Sequence, residues 1–169
     1  MKKTRLRRMT QSAMIAALYV LLTYLSSLLG LSSGAVQCRL SEALCVLPLY
    51  TPAAIPGLML GCLIANFVTG ALPPDLVFGT LATAMGAVGC HLIGRGLRRD
   101  NVLRAVLATL PNLVANTLII PPVLRYAYGL QDAYWILAVQ VGLGELIAGT
   151  VLGAALALSL PRVWKHHML

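Results

Sequence analysis

MTQSAMIAALYVLLTYLSSLLGL, residues 9–31, is the stretch whose reading decides the fold. It is apolar over more than the roughly 20 residues needed to cross a bilayer core as a helix. A basic cluster precedes it, Lys2, Lys3, Arg5, Arg7 and Arg8. That order also describes a secretory signal, but a signal core spans only about 7 to 15 apolar residues. The segment therefore reads as a first transmembrane helix that stays with the chain. The whole sequence agrees: of 169 residues, 59% are hydrophobic and 11% charged, and the mean hydropathy is +0.83. A soluble domain carries about 25% charged residues, and a disordered chain needs low hydrophobicity. Neither class fits. With its connection, each span takes about 25 to 28 residues, which leaves room for six spans, one domain over 1–169 and no second soluble domain.

The expected helices run from Met9 to Gly30, Val36 to Tyr50, Ala53 to Ala71, Asp75 to Leu97, Val102 to Leu124 and Ala133 to Leu160. The second is short. Ser32 to Gly34 reads as a breaker after the first, and the Pro73-Pro74 pair separates the third from the fourth. Pro111, Pro121 and Pro122 predict a kink or a broken end in the fifth. The fold class expected is an all-α membrane bundle of six helices. Orientation follows from lysine and arginine, which accumulate in cytoplasmic loops. They lie in the N-terminus (1–8), in the fourth connection (Arg95, Arg98, Arg99, Arg104) and in the tail over 161–169 (Arg162, Lys165), leaving only Arg39 and Arg125 of 13 elsewhere. Both termini are expected in the cytoplasm. The formal net charge of +8 needs no nucleic acid to explain it.

No GxxxxGK[ST] loop occurs, so any ATP must be used by a partner. The four cysteines, Cys38, Cys45, Cys62 and Cys90, form no C-x-x-C pair and read as small packing residues. His91 lies in a small-residue helix, and His166 and His167 lie in the basic tail, without metal-ligand spacing.

An ionisable side chain inside a bilayer costs a few kcal/mol, which makes each a functional candidate. Glu42 and Glu145 are the clearest. At about 1.5 Å per residue, Arg39, Glu42, Asn66, Asp75, Asn116, Gln140 and Glu145 all fall in the outer half of the bundle; Asn112 shares a face with Asn116 at i, i+4 spacing. Hydrogen-bonded glue between helices, at about 0.6 kcal/mol per contact, has no reason to sit at one depth. A cavity opening outward does. Small-residue faces occur at Ala13, Ala16 and Ala17, at Gly57, Gly61 and Ala65, and at Gly149, Gly153 and Ala157. The first is assigned to contact with another subunit and the others to internal packing.

The run QCRLSEALCVLPLYTPAAIPGLMLGCLIAN, Gln37 to Asn66, with DLVFGTLATAMGA, Asp75 to Ala87, closely resembles the QueT family. Arg39 to Leu44 followed by Pro48, Pro52 and Pro56 carries the likeness; Cys38 departs mildly from it. The resemblance implies the substrate-capturing membrane subunit (S component) of an energy-coupling-factor (ECF) transporter for a queuosine precursor. Partners would be a membrane coupling subunit and two ATPases that use ATP, docked on Ala13 and Ala17, in the cell membrane. This chain would hold no cofactor or metal and would not be an enzyme.

A deazaguanine base suits the polar set. Its N1-H and exocyclic amine can donate as a pair to Glu145 or Glu42, and its carbonyl can accept from Asn116, Asn66 or Arg39. An aminomethyl cation would pair with Asp75 or the other glutamate. Tyr126, Tyr128, Tyr134 and Trp135 offer stacking faces or an interfacial belt. The competing readings are an S component for another vitamin-like solute, a membrane enzyme and a channel-forming bundle.

Overall fold

The computed structural model describes residues 2–31, 37–97 and 102–165, with side chains over 4–31, 37–97 and 102–160. Every regular element among them is helical. They are α1 (Lys2–Leu28), a 3-10 helix (Leu40–Leu49), α2 (Ala54–Val68), α3 (Pro73–Gly96), α4 (Val102–Tyr126), α5 (Tyr134–Glu145), a π-helical segment (Leu146–Leu152) and α6 (Gly153–Lys165). The last three run on as one rod, so six rods alternate in direction. Four stretches are long and apolar enough to cross a membrane: Thr4–Leu28, Pro73–Gly96, Val102–Tyr126 and Tyr134–Leu160. The chain is a multi-pass, all-helical membrane protein.

Two rods are shorter than the sequence led us to expect. The second is not α-helical: its 10 residues, at about 2.0 Å each, span about 20 Å. α2, with 15 residues, covers about 22 Å. The expected start at Val36, the breaker Ser32–Gly34, and Arg98, Arg99, His166 and His167 lie outside the described residues. α1 stops earlier, at a Gly30 with φ 70°, where Leu31 N–H reaches Ser26 O at 2.9 Å and Gly30 N–H reaches Ser27 O at 3.0 Å. This paired C-terminal closure needs a left-handed residue.

The expected break in α4 does not occur; it stays helical past Pro111, Pro121 and Pro122 to Tyr126. The Pro111 ring is accommodated by the neighbouring α3. A Cβ on Gly89 would stand 2.5 Å from the Pro111 Cβ, and one on Gly86 would overlap Asn112. Glycine on α3 thus lets α4 approach closely enough to bury Asn112.

α1 and α2 meet in the same way. A Cβ at Gly57 would lie 2.7 Å from Ser12 O, and one at Gly61 would lie 2.8 Å from the Tyr19 Cβ. Ser12 Oγ also donates to Ala53 O at 2.6 Å. The small-residue face expected on α1 therefore divides. Ala16 is buried against α2, whereas Ala13 and Ala17 are exposed. Gly153 packs on Ala43 O and Thr109 inside the bundle.

The 3-10 helix runs through the middle of these rods and is buried along most of its length. Arg5, Arg7, Arg8 and Arg95 are at one end of the bundle, hereafter the basic end; the closures at Gly30 and Gly70, and Tyr126, are at the other.

Candidate substrate-binding site

Three residues per turn put side chains at i and i+3 in register. The 3-10 helix and the residue preceding it therefore stack Arg39, Glu42 and Cys45 in one row. The opposing wall comes from the rod carrying Glu145, which sits where α5 widens into the π segment. Gly144 lies directly under the Gln37 carbonyl, and a Cβ on Gly149 would come 2.9 Å from Glu145 Oε2. Glycine at 144 lets the two walls approach, and glycine at 149 leaves room for the Glu145 carboxylate on its own rod.

Between them lies a narrow cavity of about 30 Å³, lined by Gln37, Arg39, Glu42, Cys62, Gly79, Thr83, Asn116, Ile120, Val141 and Glu145. Two polar clusters frame it. In the deeper one, Asn112 Nδ2 donates to Glu42 Oε2 and to Glu145 Oε2, at 3.0 Å each. Glu42 also accepts from Tyr19 Oη at 2.5 Å and from Cys45 Sγ at 3.3 Å. Glu42 is 3% exposed and Glu145 9%, which places two acids in a low-dielectric setting. The two acceptor oxygens share one donor nitrogen and so lie at most about 6 Å apart. If both were ionised, repulsion at that distance would cost about 3 kcal/mol at an effective dielectric near 20.

In the shallower cluster, Arg39 Nη1 donates to Asn66 Oδ1 at 3.1 Å, and Nη2 pairs with Asp75 Oδ2 at 3.6 Å. Tyr128, from the loop after α4, donates to the same Asp75 oxygen at 3.2 Å and accepts the Leu72 N–H at 3.1 Å. Burial pushes the Tyr128 phenol above its usual range, keeping that donor protonated. Beyond this cluster a vestibule opens between Ser27, Thr69, Asp75, Leu124 and Tyr128. Gln37 and Arg39 line both spaces and form the partition between them.

Four of the residues singled out from the sequence therefore line the cavity: Arg39, Glu42, Asn116 and Glu145. Asn66 and Asp75 hold Arg39 from behind. Gln140 is half-buried on α5 and does not line the cavity. Five positions precede Glu145, and about 100° per residue turns it to another face. Asn112 belongs to the site although the sequence marked only its pairing with Asn116. Tyr19, Gln37, Cys62 and Thr83 had not been singled out. For Tyr19 a signal existed: Ser12, Tyr19, Thr23 and Ser26 form a polar stripe at helical spacing on α1. Thr23 Oγ1 donates to Ser41 Oγ at 2.8 Å and Ser26 Oγ accepts the Leu40 N–H at 2.9 Å, so the stripe pins the start of the 3-10 helix.

Among the described residues, no group of three or more His, Cys, Asp and Glu is arranged to hold a metal. His91 lies toward the basic end, with Nδ1 3.0 Å from Pro48 O.

The model of the QueT transporter family matches residues 9–162. The chain is 35% identical over 83 residues to the queuosine precursor transporter QueT of Lactococcus lactis subsp. cremoris (strain MG1363). That alignment covers 49% of this chain and 48% of the relative, about half of each. No solved structure matches. Since the family model runs over nearly the full length, from the first helix through the rod that carries Glu145, this chain belongs to the QueT transporter family.

Proposed function

We propose that this protein is the substrate-capturing S component of an ECF-type transporter that imports a queuosine precursor, a 7-deazaguanine base such as queuine or its aminomethyl precursor. The observation that carries the reading is the buried cavity between Arg39, Asn116, Glu42 and Glu145. It offers carboxylates to the donor edge of a deazaguanine and a guanidinium and amide to its carbonyl. The family match and the QueT relative support the cargo class.

The chain binds and does no catalysis. It lacks a P-loop, so a membrane coupling subunit and two ATPase subunits supply energy from ATP. Ala13 and Ala17, exposed on α1, form the surface on which the coupling subunit docks, because small residues let backbones approach. Both termini face the cytoplasm and the vestibule faces out, a reading that the basic residues at the opposite end support.

Thermal stabilisation of the detergent-purified protein by queuine, 7-aminomethyl-7-deazaguanine, guanine, riboflavin and thiamine tests the cargo. A deazaguanine at 100 times its dissociation constant should add about 2.7 kcal/mol of stability. A shift with riboflavin or thiamine alone would instead make it an S component for another vitamin-like solute.

A further inference from the structure

The two carboxylates of the deep cluster are not equivalent. Glu42 accepts from Tyr19, Cys45 and Asn112. Such a set of donors suits a fixed anion. Glu145, among the described bonds, accepts only from the amide that it shares with Glu42, and it lines the cavity.

The surroundings do not neutralise both acids. α1 contributes the Tyr19 hydroxyl, the 3-10 helix Cys45 and α2 Cys62. α3 contributes Asp75, which is paired with Arg39. α4 contributes the amides of Asn112 and Asn116. His91 bonds to Pro48 O and Arg104 to Gly94 O, both toward the basic end. Among the described residues, Arg39 is the only cation on the cavity wall, and Asp75 already faces it. With both glutamates ionised, this buried cluster would keep an excess of negative charge that none of the described residues balances.

We propose that Glu145 is an exchangeable acid. In the empty protein it holds a proton beside the ionised Glu42; when an ammonium-bearing ligand enters, that proton leaves through the vestibule to water and the ligand's positive charge replaces it. The pair is therefore a charge filter that selects cationic solutes over neutral isosteres. The inference rests on the deazaguanine reading above and adds to it the reason for which side group is accepted.

The test is calorimetric titration of the full-length, detergent-purified protein with 7-aminomethyl-7-deazaguanine and with the neutral isostere 7-ethyl-7-deazaguanine, between pH 5.5 and 8. The buffers should differ in ionisation enthalpy, so that released protons are counted. The aminomethyl compound should bind about a hundredfold more tightly than the ethyl compound. Up to one proton should be released per ligand. Its affinity should rise about tenfold per pH unit while Glu145 still holds its proton.

Glu145→Gln, which copies the protonated acid, should melt like the wild type when empty, lose the preference for the amine and lose the pH slope. Glu42→Gln should lower the melting temperature, because three donors lose their anion. Equal affinity for the two compounds, or a flat pH profile, overturns the charge filter and leaves the deazaguanine reading standing. If neither compound binds, the deazaguanine reading falls and the filter falls with it.

Discussion

The shallow and deep clusters use similar residues to opposite effect. In the shallow one, Arg39 and Asp75 balance each other, Asn66 accepts from Arg39 and Tyr128 donates to Asp75 Oδ2, while Asp75 Oδ1 is buried without a hydrogen-bond partner among the described residues. In the deep one, two acids converge on one amide with no cation of their own. A balanced set of charges needs no arriving charge and serves as structure, here as the partition below the vestibule. An unbalanced set gains from an arriving charge. The contrast separates the part of the pocket that closes it from the part that reads its contents.

The deep cluster should be the most sensitive to loss of a neutral residue. Asn112→Ala removes the donor that both carboxylates share and should destabilise the protein by about 3 kcal/mol. Denaturant or thermal unfolding in detergent would read this. If the loss is no larger than for a surface asparagine, the amide bridge is not what holds the acids together. In the shallow cluster, Arg39→Ala strands Asp75. Allowing for the 24% exposure of the arginine side chain, the expected loss is about 2 kcal/mol. Adding Asp75→Ala should recover part of it, and a double-mutant cycle measures the coupling. An additive cycle would show that the pair is not a unit.

Tyr128→Phe removes a single hydroxyl from the partition and should cost about 1 kcal/mol. The same variant should exchange bound ligand faster in a stopped-flow chase, since one tie across the entrance is gone. The smallest effect on stability belongs to Ala13→Leu with Ala17→Leu, at about 0.5 kcal/mol or less because both positions are exposed. Those changes should nonetheless abolish co-purification with the coupling subunit.

The order and number of rods were legible because hydrophobic length is written directly into a membrane sequence. Helix type was not. Hydropathy over Leu40–Leu49 is the same for an α-helix and a 3-10 helix, and only the neighbours that bury the segment from several sides decide its pitch. The unbroken α4 was also illegible from its own residues, since Gly86 and Gly89 on another rod make room for Asn112 and Pro111. Arg39, Glu42, Asn66, Asp75, Asn116 and Glu145 were identifiable because a bilayer leaves charged and amide groups few places except the interior. Gln140 was misplaced through depth considered without angular position. Tyr19 was passed over because an aromatic ring in an apolar helix usually signifies packing, and its hydroxyl became informative only with Glu42 beside it.

The pitch of the second rod also limits how its gene can change. With three residues per turn, deleting or inserting one residue between Arg39 and Tyr50 would swing everything beyond the change by about 120°. Glu42 would then leave the cavity wall, or Cys45 its bond to Glu42. A change of three residues would restore the row but shift it by about 6 Å along the axis, out of reach of Asn112 and Tyr19. This segment therefore has no tolerated indel of one to three residues.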